Sequence, residues 1–442
     1  MMKKLLLCVF IAVVTGVSHA QSIDTSMNSM TPEEISQAKM KQEHKIVFVG
    51  DGPQASQDSV MRMINMYYID QFHHFKDPQA PYFLLMSKDA NLSMGVGGAV
   101  RMRGWADFDG AVPVNGFCPY LIPVPADPEL RRRIGGTPAG TSLFFRVIGF
   151  NTVVKDFNAY IQCDFSGPDN VGFKLRKAYV TMQDWTVGYA TTTFSDPAAE
   201  VPTIDGAGPN GRASRTSMLV RWLHSFTPHW SMAASVEMPS SQVDADGALT
   251  KRLYDWMPDY VVFGQYGWSH DQHVRLTGMM RVIPYRDLVA EVNRNVVGWG
   301  AQASAVIKPV NRLALYGELN TGRGYSSYMG DLSIGNYDLV ASPIDPGRMH
   351  APMSMGLACG FKYNFKYNLY ACVAYGQARY YNSHSELIPN DYKRGRYLAA
   401  NLFWEMTPRL QVGIEYLYGQ RTNFSGAHNH ANRVDALFQF AF

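Results

Sequence analysis

The stretch that most limits what this chain can become is its last eleven residues, NRVDALFQFAF, Asn432 to Phe442. Val434, Ala436, Phe438, Phe440 and Phe442 share one parity. Arg433, Asp435, Gln439 and the small Ala441 share the other, and Leu437 is the one misfit. Successive strand side chains point to opposite faces, so this is a strand with one apolar and one mostly polar face. A soluble sheet rarely leaves an edge that ends on an exposed aromatic. A membrane barrel has to use its last strand to close on its first. The competing reading is an ordinary final strand of a soluble β-sandwich.

The same period of two governs most of the chain from Leu92 onward. Leu92, Met94, Val96, Val100 and Met102 oppose Ser93, Ala99, Arg101 and Arg103. SMLVRWL sets Met218, Val220 and Trp222 against Arg221, and HWSMAASVEMP sets Trp230, Met232, Ala234, Val236 and Met238 against Ser231, Ser235 and Glu237. VRLTGMMRV opposes Val274, Leu276, Met280 and Val282 to Arg275, Thr277 and Arg281. LFFRVIGFNTVV alternates poorly and its faces stay unassigned. About sixteen such runs occur, each near the ten residues a tilted strand needs to cross an outer membrane. Very short gaps, such as Thr227-Pro228-His229 and Met406-Thr407-Pro408-Arg409, alternate with long polar ones near 110–141, 239–258, 322–352 and 382–395. Short turns at one end and long loops at the other are the layout of an outer-membrane barrel. The predicted fold is therefore all-β: an antiparallel transmembrane β-barrel of about 16 strands with a short N-terminal periplasmic helix.

Residues 1–20 read as a secretory signal: Lys3 and Lys4, an apolar run from Leu5 to Val14, and the small-residue site Ser18-His19-Ala20. Its removal takes the formal charge from +3 to +1, so no bulk charge argues for a nucleic-acid partner. Residues 21–88 then form a periplasmic segment with a helix near 54–76. Ser56 or Ser59 is the candidate cap, and Val60, Met63, Ile64, Tyr67, Gln71 and His74 make the buried stripe. This helix serves either assembly or as a plug in the barrel mouth; the plainer alternative is packing on the rim. Residues 89–442 form the barrel. Cys118, Cys163, Cys359 and Cys372 are expected to stay free and mostly to face lipid, because Cys359 and Cys372 fall on opposite parities.

Several segments resemble the DcaP-like trimeric porins, in patches over most of residues 145–442. They include GFNTVVKDFNAYIQCDFSG, FKLRKAYV followed by GYATTTFSDPAAEVPTIDGAGPNG, PDYVVFGQYGWSHDQHVRLTGMMRVIPYRD, GRGYSSYMGDL, and the tail from LFWEM to the terminal Phe442. The ending itself is similar to the closing strand of bacterial outer-membrane proteins, whose terminal Phe is read by the insertion machinery. The resemblance implies a sixteen-stranded barrel, a homotrimer in the bacterial outer membrane, and passive uptake of small, often anionic, solutes. This chain departs from the family near its start, where a longer coiled-coil extension is often found.

A pore selects by width and by the charges on its wall. Parity directs Arg101, Arg103, Lys174, Arg176, Arg221, Arg275 and Arg281 into the lumen, with Lys177 as an outward exception. Asp164, Glu237, Glu318 and Glu415 point inward as well. A basic ladder facing a thin acidic wall would mildly favour small anions such as carboxylates. The alternative is that these groups pair and only brace the barrel. FSDPAAEVPTIDGAGPNG, residues 194–211, is long and rich in turn formers, and reads as either an external loop or an inward constriction; the resemblance favours the constriction. Asp196, Glu200 and Asp205 would then carry negative charge to the narrowest point. No cofactor or metal is expected: His428-Asn429-His430 and Asp244-Ala245-Asp246-Gly247 are incomplete motifs, and His73 and His74 are adjacent. The expected function is an outer-membrane porin, with outer-membrane lipid and small hydrophilic solutes as partners. A barrel hydrolase or a closed adhesive barrel are the rivals, but no convincing Ser, His and acid set is visible.

Overall fold

The computed structural model describes residues 45–67, 75, 81, 83–151, 155–167, 171–269 and 271–442. The signal segment, Gln71, His73 and His74 lie outside the described residues. The strands run in order as β1 (Lys45–Val49), β2 (Phe83–Ser87), β3 (Leu92–Phe108), β4 (Arg133–Thr137), β5 (Ser142–Asn151), β6 (Lys155–Asp164), β7 (Lys174–Met182) and β8 (Trp185–Thr191). They continue as β9 (Thr216–Ser225), β10 (Trp230–Glu237), β11 (Val243–Asp244), β12 (Thr250–Arg252), β13 (Asp259–Ser269), β14 (Gln272–Asp287), β15 (Val292–Val310) and β16 (Leu313–Arg323). The rest are β17 (Leu339–Ala341), β18 (Met349–His350), β19 (Met353–Lys366), β20 (Leu369–Tyr381), β21 (Tyr392–Glu405), β22 (Leu410–Asn423) and β23 (His428–Ala441).

β3, β5 to β10, β13 to β16 and β19 to β23 form a closed antiparallel barrel of 16 strands. β23 closes on β3 from Asn432↔Phe108 to Ala441↔Ala99. Phe442 extends the seam, exchanging backbone hydrogen bonds of 3.0 and 3.1 Å with Gly98. Closure satisfies the edge groups that hydrocarbon cannot solvate. No helix among the described residues is long and apolar enough to cross a membrane.

β10 shows why these residues choose strand. Trp230, Met232, Ala234 and Val236 are exposed on the outer face, while Ser231, Ala233, Ser235 and Glu237 are buried on the inner one. Leu276, Met218 and Ile414 lie on the same outer belt and are more than half exposed. Each such side chain costs about 1.5–3 kcal/mol in water relative to apolar surroundings, so the belt requires lipid.

The core sits inside the barrel, between its wall and segments folded into it. Phe117, Ile122, Val201 and Ile204 pack on Tyr397, Phe403, Leu417 and Leu437. Phe194, Tyr325, Tyr328 and Tyr337 pack on Val261, Met279, Tyr380 and Tyr392. Leu437, the misfit of the last strand, is therefore apolar because an infolded segment covers its inner face. LFFRVIGFNTVV resists face assignment for the same reason: Phe144, Arg146 and Ile148 are buried, and Ile148 packs on Met63, Tyr67 and Leu84 of the N-terminal segment.

That segment contains the helix α1 (Gln57–Met66), which falls within the predicted 54–76; most of the remainder of that span lies outside the described residues. The hydroxyl of Ser56 accepts the Ser59 amide proton at 3.3 Å and caps it. β1 pairs in parallel with β2, and β2 lies antiparallel against the foot of β3. Tyr67 donates its hydroxyl to Ser93 at 2.9 Å, and Arg146 donates to the Tyr67 carbonyl at 3.0 Å. Phe75 is buried against Ala233 and Phe263, on inward positions of β10 and β13. Tyr67, Arg146 and Phe75 make these contacts on the inner side of the wall.

Two further expectations need correction. A β-bulge between β6 and β7 shifts register after Gln162, so Lys177 pairs with Gln162 and shares the inner face with the buried Tyr179. Lys177 is not an outward exception. All four described cysteines are free, but only Cys163 and Cys359 fall on outward positions. Cys372 is fully buried in the inner core, and Cys118 donates its thiol to Asp331 at 2.9 Å in an infolded loop.

Candidate functional site

The segment between β8 and β9, residues 192–215, crosses the inside of the barrel. Its composition explains its form. Pro197, Pro202 and Pro209 forbid a continued ladder, and only one short 3-10 turn, Pro197–Ala199, forms. Gly211 and Gly356 allow backbone to touch backbone: a Cβ on Gly211 would lie 2.2 Å from the Leu357 carbonyl, and one on Gly356 would lie 2.1 Å from the Gly211 carbonyl.

The inward glutamates hold this segment. Glu237 accepts the Thr193 amide at 2.8 Å and the Thr192 hydroxyl at 2.5 Å. Glu415 accepts the amides of Ile204 and Asp205 at 2.9 and 2.7 Å. Glu318 accepts the Ala213 amide at 2.6 Å. A carboxylate taking backbone N–H groups is a strong, charge-assisted clasp. All three glutamates have the predicted inward parity, yet each is buried beneath the segment and not presented to an open channel.

Most predicted lumen arginines share that fate. Arg103 reaches Asp205 at 2.7 Å and Asp435 at 3.4 Å. Arg275 lies 3.4 Å from Asp196, which also bonds His273 at 2.8 Å and Ser304 at 2.6 Å. Arg281 is shared between Asp259 at 3.2 Å and Asp338 at 3.1 Å. The Arg221 guanidinium stacks 3.7 Å from the ring centre of Phe75. Arg275, Arg281 and Arg221 are at most 1% exposed. Near the long-loop end Arg176 pairs with Asp164, while Lys174 is exposed opposite Asp164 in the register.

The electrostatics of the segment follow from these contacts. Burial alone would raise the Asp196 carboxyl, but Arg275 and His273 outweigh it and hold it well below the usual carboxylate range. Asp331, in the infolded 324–352 segment, has no cation to oppose its burial. Its carboxyl is pushed up to about 6, although Cys118 and Asn210 donate to it.

A cleft of about 330 Å³ lies along the segment, lined by Arg101, Glu200, Thr203, Asp205, Gly206 and Arg212 among others. Arg101 donates to the Ile204 carbonyl at 2.6 Å. Among the described residues no carboxylate lies within ion-pair distance of Arg101. Arg212 pairs with Glu200 at 2.5 Å. Arg212 escaped the sequence reading because face counting works on strands and this arginine is on the connecting segment. Arg433, whose guanidinium grips Asp107 at 2.5 and 3.0 Å, was visible by parity but seemed only part of the closing strand.

Among the described residues no group of three or more His, Cys, Asp or Glu is placed to hold a metal. Asp246 instead accepts the amides of Ala248, Leu249 and Thr250, closing its own turn.

A family model described as the DcaP outer membrane protein matches residues 139–442. The barrel is similar to the crystal structure of the outer membrane channel DcaP of Acinetobacter baumannii, with 19% identity and a TM-score of 0.69, covering 80% of this chain and 98% of that one. It is also similar to an anion-selective porin from Comamonas acidovorans, with 9% identity and a TM-score of 0.54, covering 79% of this chain and 100% of that one. These likenesses show the fold. No curated protein matches the sequence.

Proposed function

Because this chain belongs to the DcaP outer membrane protein family, and is thus a porin of the bacterial outer membrane, we propose that it passes small hydrophilic solutes and favours anions such as carboxylates. The observation that carries the preference is an imbalance at the cleft. The acids expected to face the arginines, Glu237, Glu318 and Glu415, are consumed by backbone amides of the infolded segment. Arg101 keeps its charge on the cleft without a carboxylate partner. Arg guanidinium stays ionised at every working pH and forks onto a carboxylate. The solute would meet Arg101, while Asp205 is held by Arg103 and Arg212 and Glu200 hold each other.

In this reading residues 194–211 are the constriction, and the N-terminal segment narrows the periplasmic mouth through Tyr67 and Phe75. The assembly is a homotrimer, in line with the family resemblance; light scattering of the detergent-solubilised protein measures it, and a monomer mass rejects it. No catalytic role is assigned to any residue. Reversal potentials in a KCl gradient across a planar bilayer test the selectivity. Chloride should permeate better than potassium, and a clear potassium preference ends the anion reading.

A further inference from the structure

On the outside of the barrel a second basic group faces away from the lumen. Arg379 of β20 stands directly opposite Arg394 of β21, and Arg396 stands opposite Gln377 and Gln420. The parity is fixed by the neighbours. A Cβ on Gly376 or Gly395 would meet the infolded Asn210, so those positions face inward and Arg379, Arg394 and Arg396 face outward. The three arginines, with Lys393, Gln420 and His428, surround a cleft of about 390 Å³.

Like charges directly across a strand pair destabilise a sheet, so this placement needs an anion. Among the described residues no carboxylate lies within ion-pair distance of the three. Arg379 only stacks on Tyr381, and Arg396 only reaches the Gln420 amide oxygen at 3.4 Å. The Nε of each arginine is buried without a hydrogen-bond partner among the described residues. Arg103, Arg275 and Arg281 of the lumen, by contrast, are matched by Asp205, Asp196, Asp259 and Asp338.

Height along the wall identifies the anion. On this outer face the register climbs from Trp404 and Leu369, through Leu402 and Ala371, to Leu398, Tyr375 and Tyr418, and then to the arginines. Trp404 to Arg394 is ten residues of β21. That is about 33 Å along a strand, or about 25 Å along the membrane normal at the usual tilt. An outer-membrane barrel carries an apolar band about 25 Å tall between two aromatic girdles. With Trp404 at the lower girdle, Tyr375 and Tyr418 lie about 15 Å up, within the band, and Arg379 and Arg394 stand at its top, level with the headgroups of the outer leaflet.

We propose that this cleft binds the phosphate of a phosphorylated glycolipid headgroup in the outer leaflet, seated between the forked guanidinium groups of Arg379, Arg394 and Arg396. Arg is the side chain suited to bidentate phosphate capture, and the apolar strand face below takes the acyl chains.

The test uses the full chain in detergent, titrated with diphosphorylated lipid A, the same lipid dephosphorylated, and inorganic phosphate, and read by native mass spectrometry. The wild type should bind the phosphorylated lipid at least about tenfold more tightly than the dephosphorylated one. The triple variant Arg379→Gln, Arg394→Gln, Arg396→Gln should lose that preference while keeping its single-channel conductance. Arg394→Lys, which keeps the charge and loses the fork, should fall between them, and it carries the test if the triple variant does not fold. Equal binding of both lipids, saturation by inorganic phosphate at the lipid's concentration, or a variant that changes only the oligomer mass would each overturn the proposal. The last outcome would make the cleft a contact between copies of this chain.

Discussion

Arg275 and Arg101 are the same residue type, both on inward positions of the barrel, and they do opposite things. Arg275 is fully buried, sandwiched over the Phe263 ring and beside Asp196. Arg101 stands on the cleft, and its guanidinium finds only a backbone carbonyl. The difference does not lie in the strands. It lies in what covers them: the 192–215 segment roofs β14 at Asp196 and leaves β3 partly open at Ile204. Inward parity makes a charge available to the lumen, and the infolded chain decides whether it becomes scaffold or pore lining.

The largest effect should come from breaking the scaffold member. Asp196→Asn removes the carboxylate charge that faces Arg275 and His273 in a fully buried site. Losing one partner of a buried pair costs about 3–5 kcal/mol. Thermal unfolding in detergent should shift down, and single-channel records should become larger and noisier as the segment loses its seat. A variant with wild-type stability and quiet openings would show that Asp196 does not anchor the segment.

This contrast also marks how far the sequence could be read. The barrel was legible because lipid outside and polar groups inside impose a period of two, as β10 and β23 display. Legibility failed wherever a second layer of chain covers the inner face. There the inner residues turn apolar, as at Ile148, Leu437 and Cys372, or the acids turn into clasps, as at Glu415. A strand's own pattern contains no record of which distant segment will lie on it. The separation between Glu415 and its partner Asp205 is 210 residues. The bulge at Gln162 was unreadable for a different reason, since one extra residue reverses parity without any change in composition.

A pH experiment sharpens the comparison at a second infolded segment. Asp331 is buried like Asp196 but has no cation beside it, and its carboxyl is pushed up to about 6 from an ordinary value of 3.8. Because the folded value lies above the unfolded one, the neutral acid is favoured on folding. The stability it contributes is present below the unfolded value and is lost as pH climbs through about 6. The melting temperature should therefore fall between pH 4 and 6.5, on the order of one pKa unit to the next, by more in the wild type than in Asp331→Asn. Identical slopes in the two proteins would remove Asp331 from the account. A smaller effect belongs to Phe75, whose ring covers Arg221 at 3.7 Å. Phe75→Leu keeps an apolar side chain in the cluster, gives up a cation–π contact of about 1–2 kcal/mol and opens space at the short-turn end. Conductance should rise with only a small loss of stability; unchanged conductance would place the narrowing elsewhere.

The smallest change in stability, and the most direct test of the pore, comes from Arg101→Gln. Arg101 has no ion pair to break, and glutamine retains a donor toward the Ile204 carbonyl, so unfolding should move by less than about 0.5 kcal/mol. The charge on the cleft changes by a full unit, while Glu200 and Asp205 remain. Chloride preference in a KCl gradient should therefore weaken or invert. Adding Arg212→Gln should push it further, because a second positive charge then leaves the cleft that Glu200 and Asp205 also line. Arg275→Gln supplies the control from the other side of the comparison: it removes the same charge from the same lumen, but from beneath the roof. If selectivity follows burial, the Arg101 variant changes the reversal potential at constant stability and the Arg275 variant loses stability first. If both variants shift the reversal potential equally, the long-range field of the whole wall sets selectivity, and the cleft has no special claim.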